Sequence, residues 1–322
     1  MRSVRWLGLL GLYLGAQAVG LALADPFRSA GLQSTSNAQS VTAPVEIIVL
    51  IVVAPLAILW IARRQGGLSA LRHLILLAIA GALFITLDAT FSLLPPGYVL
   101  LPPYAAELVL DPSGIAAGTL AAALYLALLM EPQWYIVDLV GFLAAGSLIA
   151  ILGISFAILP AFILLIALLI YDAIAVYGTK HMVSLAEVVT DMKLPILMVM
   201  PESSGYDYTQ APTLAAQRAQ PVEERQALFM GLGDVVIPGT LVASALVWLP
   251  SAPHVLGLGA NVVLSLATLL GSVIGYGVLM TLVLRGNPQA GLPLLNGGAL
   301  AGYVLAYLLV FRSWTLGFTG AL

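Results

Sequence analysis

The chain has no cysteine and only three histidines. The first absence excludes disulfides, thiolate metal centres and cysteine nucleophiles. His73, His181 and His254 lie in different segments, without the i, i+4 pairing of a helical metal motif, so no zinc chemistry is legible either. Charge is scarce as well. Asp, Glu, Lys and Arg make up 8% of the 322 residues, against roughly 25% in soluble domains, whose surfaces must face water. A net charge of −3 removes the basic footprint of a nucleic-acid binder. An internal repeat is also missing, which weighs against transporters built from inverted repeats.

What is present is apolar sequence: 61% hydrophobic residues and a mean hydropathy of +1.05. A helix crosses the hydrocarbon with about 20 apolar residues. Such runs occur at about Trp6–Ala24, Val45–Ile61, Leu71–Leu94, Gly114–Met130, Tyr135–Leu152, Ser155–Tyr177, Leu228–Leu249, Val255–Leu284 and Leu292–Phe311. The expected fold is therefore an all-α polytopic membrane protein with nine transmembrane helices. The first run, with Arg2 and Arg5 before it and Ala22-Leu23-Ala24 after it, shares features with a cleavable leader, but it is long enough to span and is read as a retained helix. Placing the N-terminus in the cytoplasm puts ten basic residues inside and two, Arg28 and Arg312, outside. That is the bias of the positive-inside rule, and it puts the C-terminus outside.

The long connection between spans six and seven, about 178–227, is expected on the cytoplasmic side. Its Leu194–Pro201 run is too short to span and reads as a strand or a surface-lying segment, and Glu202–Arg225 is polar, turn-rich and expected to be mobile. Lys180 and His181 read as headgroup anchors. Two regions follow: residues 1–154 as an N-terminal transmembrane scaffold of spans one to five, and residues 155–322 as a catalytic region of spans six to nine.

Acids inside a membrane are expensive and point to function by default. Five lie in or beside the spans: Glu46, Asp88, Asp138, Asp172 and Asp234. Glu46 and Asp138 fall at helix starts, where a carboxylate reaches the headgroups, and Asp88 is expected to bond a neighbouring helix. Asp172 and Asp234 differ because topology pairs them. Span six descends toward the loop and span seven returns from it, with each aspartate about 5 to 6 residues from that edge. At about 1.5 Å per residue both stand roughly 8 or 9 Å inside it. Consecutive antiparallel helices pack side by side, so the two carboxylates can face each other, share a proton and activate a water. Gly231 and Gly233 leave room for a substrate backbone beside Asp234; tight helix packing explains them equally well.

Tyr171-Asp172 in one span and Gly231-Leu232-Gly233-Asp234 in the next resemble the YD and GxGD motifs of the presenilin and signal peptide peptidase family of intramembrane aspartyl proteases, and the chain is similar to a prokaryotic, archaeal-type homologue. The nine spans and the long sixth connection are similar as well. A third family motif, Pro-Ala-Leu, opens span nine. Here that stretch reads Pro288-Gln289-Ala290-Gly291-Leu292-Pro293: Leu292 and Pro293 match, while Ala290 and Gly291 occupy the first two positions. The resemblance implies an aspartic-type endopeptidase of the cell membrane with Asp172 and Asp234 catalytic. Tyr171, Gly231, Leu232, Gly233, Ala290, Gly291, Leu292 and Pro293 would be motif or substrate-positioning residues. It implies no cofactor or metal. Its partners would be transmembrane-helix substrates and the bilayer, with room for a homo-oligomer. A prepilin-type leader peptidase, which also uses a GxGD aspartate, and a proton- or cation-coupled transporter or leak channel are the rival readings of the same carboxylates.

Overall fold

The computed structural model describes residues 2–62, 64, 67–92, 112–179, 185–188, 190, 192–203, 205–218, 220, 224–285 and 289–318. Apolar runs flanked by turn residues become helices because only a helix satisfies its own backbone groups in lipid. In chain order these are α1 (Arg2–Ser29), α2 (Thr42–Ala62), α3 (Gly67–Phe91), α4 (Pro112–Met130), α5 (Trp134–Ser155), α6 (Ile158–Ala173), α7 (Leu232–Trp248), α8 (Ala260–Val283) and α9 (Leu292–Phe311). Helix α6 continues into a π-helical turn, Ile174–Gly178. Among the described residues eight helices are long and apolar enough to cross a membrane, and α7 is a shorter apolar helix of 17 residues. The expected polytopic α fold is what the chain adopts. Lys180, His181 and Pro288 lie outside the described residues, as does the end of the third expected span.

Two boundaries differ from expectation for one physical reason. Span seven was expected from Leu228, yet Ala227–Gly231 is a strand, β2, paired antiparallel with β1 (Leu197–Pro201). A short apolar run serves a strand or a helix equally, and the partner decides. Span eight, expected from Val255, starts at Ala260 because His254–Val255 (β3) and Leu258–Gly259 (β4) form a small hairpin. The apolar run in the long loop is the strand anticipated for it. Within the polar stretch after it, the buried Tyr208 ring lies under Lys193, with Nζ 4.4 Å from the ring centroid, and the Tyr208 N–H reaches Gln133 Oε1 at 3.3 Å.

Helix α1 is built into the core. Leu9, Tyr13 and Ala16 pack with Ile149 of α5 and Val235 and Val236 of α7. Two hydrogen bonds tie α1 to other helices: the Tyr13 hydroxyl meets Ser272 Oγ at 2.5 Å, and Gln17 Nε2 donates to the Val235 carbonyl at 2.9 Å. Helices α8 and α9 approach most closely. A Cβ built on Gly271 or Gly298 would lie 2.2 Å from the other's carbonyl oxygen, and one on Gly275 would lie 2.1 Å from the Leu294 carbonyl. Small residues four apart on both helices permit this, replacing side-chain bulk with close backbone packing. Helix α2, by contrast, presents Val49, Leu50, Val53 and Trp60 outward, as a lipid-facing helix does.

The other three acids found different fates. Glu46 is exposed near the start of α2, as expected. Asp88 Oδ1 accepts a hydrogen bond from Ser113 Oγ of α4 at 3.0 Å, the interhelical role foreseen for it. Asp138 departs from expectation. It is buried, and its Oδ1 accepts the Val199 N–H of β1 at 2.7 Å, because the strand lies over it where headgroups were expected.

Candidate active site

Strand β2 leads without interruption into α7. Gly231, in extended conformation, ends the strand and caps the helix, and the Leu232 N–H still bonds to the Ile196 carbonyl at 3.1 Å. Asp234 therefore stands in the first turn of α7. It is nearer the helix start than the five or six residues expected, since the preceding apolar residues belong to the strand. An acid in the first turn is stabilised by the unpaired N–H groups at a helix N-terminus. Asp172 lies one residue before the end of regular α6, just ahead of the π-helical turn, a distortion often found at functional sites. Helices α6 and α7 pack through Leu165, Leu168, Ile237 and Leu241, which sets the two aspartates on neighbouring helices at the same end of the bundle.

Both aspartates line one cavity of about 800 Å³, mostly apolar, whose walls include Tyr171, Gly231, Leu232 and Gly233 as well as Gly291 and Leu292. The entry to α9 links them. The Leu292 N–H donates to Asp172 Oδ2 at 3.1 Å. Its neighbour Gly291 lies against the other carboxylate, where an added Cβ would sit 2.7 to 2.8 Å from the Asp234 carboxyl atoms. Two consecutive residues of one backbone thus touch both aspartates. Asp172 is 7% exposed and Asp234 half-buried.

Of the remaining motif residues, Ala290 is buried and Pro293 occupies the first turn of α9, where its missing N–H leaves no bond unmade. Sequence reasoning missed Tyr177 and Gln289. The Tyr177 hydroxyl donates to Gln289 Oε1 at 3.0 Å and accepts the Ala290 N–H at 3.2 Å, tying the end of the π-helical turn to the α9 entry. A tyrosine at the end of a span reads as an interfacial anchor, and no sequence signal distinguishes this second use.

The family model described as signal-peptide peptidase, presenilin aspartyl protease matches residues 10–312. The chain belongs to this family. Two solved structures of a presenilin family intramembrane aspartate protease are similar over nearly the whole chain. One, in the C222 space group, is 28% identical with a TM-score of 0.60, covering 94% of this chain and 99% of that one. The other, in the P2 space group, is 30% identical with a TM-score of 0.59, covering 94% and 97%. No curated protein matches. As a member of the presenilin and signal-peptide peptidase family, the protein is a multi-pass membrane enzyme of the intramembrane aspartic endopeptidase class.

Proposed function

We propose that this protease hydrolyses peptide bonds within transmembrane helices of substrate proteins, with Asp172 and Asp234 as a shared-proton dyad acting on water. One observation carries the reading: the consecutive residues Gly291 and Leu292 touch both carboxylates at the wall of a single cavity. Two carboxylates so placed ionise together only at high cost, so one proton serves both. The ionised member removes a proton from water as the water oxygen bonds to the scissile carbonyl carbon. The protonated member gives its proton to the carbonyl oxygen. The resulting tetrahedral diol collapses as one of its hydroxyls gives its proton to the ionised aspartate and the C–N bond breaks; the leaving amine takes the proton held by the other aspartate, which restores the singly protonated dyad.

A helical substrate hides its peptide groups in its own hydrogen bonds and must unwind before attack. Strand β2 and the entry segment Ala290–Leu292 offer backbone groups beside the cavity, where an unwound segment can pair as an added strand. In this reading residues 155–322 carry the chemistry on a scaffold of residues 1–154.

The test uses wild type, Asp172→Asn and Asp234→Asn in liposomes with a single-span substrate. Wild type is expected to cut within the span. Each variant is expected to lose at least about 10³-fold in kcat, since neither amide can serve as acid or base. Cleavage that survives either substitution overturns the dyad. Ion flux without cleavage in wild type transfers the carboxylates to a transport role.

A further inference from the structure

Asp138 is a buried acid that the proposed chemistry does not use. It is 5% exposed, Oδ1 accepts the Val199 N–H, and Oδ2 has no hydrogen-bond partner among the described residues. Burying a carboxylate is costly unless its contacts compensate, so what Asp138 holds is informative. Val199 is the central residue of β1 and pairs with Phe229 of β2. Its N–H points to α5, so Asp138 covers the outer edge of the hairpin at that residue.

The same face of α5 makes a second contact, with the residues that flank the two strands. At Gly141, one turn further along, a Cβ would come within 3.2 Å of Leu232 Cδ1 and 3.3 Å of the Pro195 carbonyl oxygen. Helix α5 therefore seats the hairpin at two points: a hydrogen bond at Asp138 and a close approach at Gly141. Strand β2 of the seated pair runs directly into α7, which carries Asp234. Gly231 pairs with Leu197, Leu232 bonds to Ile196, and Asp234 follows two residues later.

We propose that Asp138 is a positioning residue: by fastening the β1–β2 hairpin to α5 it sets where Asp234 stands relative to Asp172. This rests on the dyad reading above. It gives helix α5, in the region read as scaffold, a defined part in the reaction.

The test compares kcat and KM on one single-span substrate for the full-length enzyme in detergent, with thermal unfolding measured alongside. Asp138→Asn keeps an acceptor for the Val199 N–H and carries no charge, so its kcat is expected within about two-fold of wild type. Asp138→Ala and Asp138→Leu remove the acceptor. Their kcat is expected to fall about ten-fold or more, with KM changed less than about two-fold, because a displaced group loses rate more than binding. Phe27→Ala, a buried α1 change in a core cluster that contains no residue of the hairpin, calibrates the effect of destabilisation alone.

Three results overturn the assignment: wild-type kcat in folded Asp138→Ala, equal losses in the Asn and Ala variants, or a loss matched by Phe27→Ala at equal melting temperature. Asp234→Asn runs in the same assay. If it still cleaves, the dyad fails; if it is inactive beside a fully active Asp138→Ala, only the Asp138 assignment fails.

Discussion

At Gly291 a single methyl group would meet the proposed dyad. An alanine Cβ there falls 2.7 to 2.8 Å from the Asp234 carboxyl atoms, yet the obstacle is the end of a side chain that can rotate. Gly291→Ala is expected to cost up to about ten-fold in kcat. Gly291→Val, whose branches fill the space into which the carboxylate would turn, is expected to cost about 10²-fold or more, as a misplaced catalytic group does. Kinetics on a single-span substrate checks the series; equal activity for all three proteins would show that Gly291 is not where Asp234 is confined. The two aspartates were legible in the sequence because acids are rare in apolar spans and costly there. Asp138 was misjudged for the converse reason. Its position near a helix start is compatible with headgroup contact, and only the strand lying over it decides that it is buried.

Among elements, α9 has the most demanding placement, because its first turn brings Gly291 and Leu292 to the aspartates while its middle lies against α8. Gly298→Leu is expected to push these helices apart. Overpacking of this kind costs at least about 1–3 kcal/mol, visible as a lower melting temperature in detergent, and it should also reduce cleavage by shifting the Leu292 N–H from Asp172. A variant with unchanged stability and activity would contradict the close approach. The helices themselves were readable from apolar length. The start of α7 was not: Ala227–Gly231 is as apolar as a helix end, and its strand conformation depends on pairing with residues 197–201, some 30 positions earlier.

For the whole molecule, the orientation inferred from basic residues is open to a direct measurement, since the chain has no cysteine to interfere. Exposed Ser36 lies between α1 and α2, and exposed Gly205 lies in the long connection after α6. Ser36→Cys is expected to react with a membrane-impermeant maleimide on intact cells, and Gly205→Cys only after permeabilisation. The reverse pattern would invert the topology.

Composition and span length by themselves determined the solvent and the fold class, because lipid tolerates few charges and requires every backbone group in it to be paired; the order of the spans then singled out two of the five acids they contain. The tertiary structure alone decided that Asp234 stands in a first helical turn fed by a strand, that Asp138 is buried beneath that strand, and that Tyr177 reaches the α9 entry. These are contacts between segments far apart in the chain. Local sequence encodes what each segment can do, and the partner it meets selects which of those conformations it adopts.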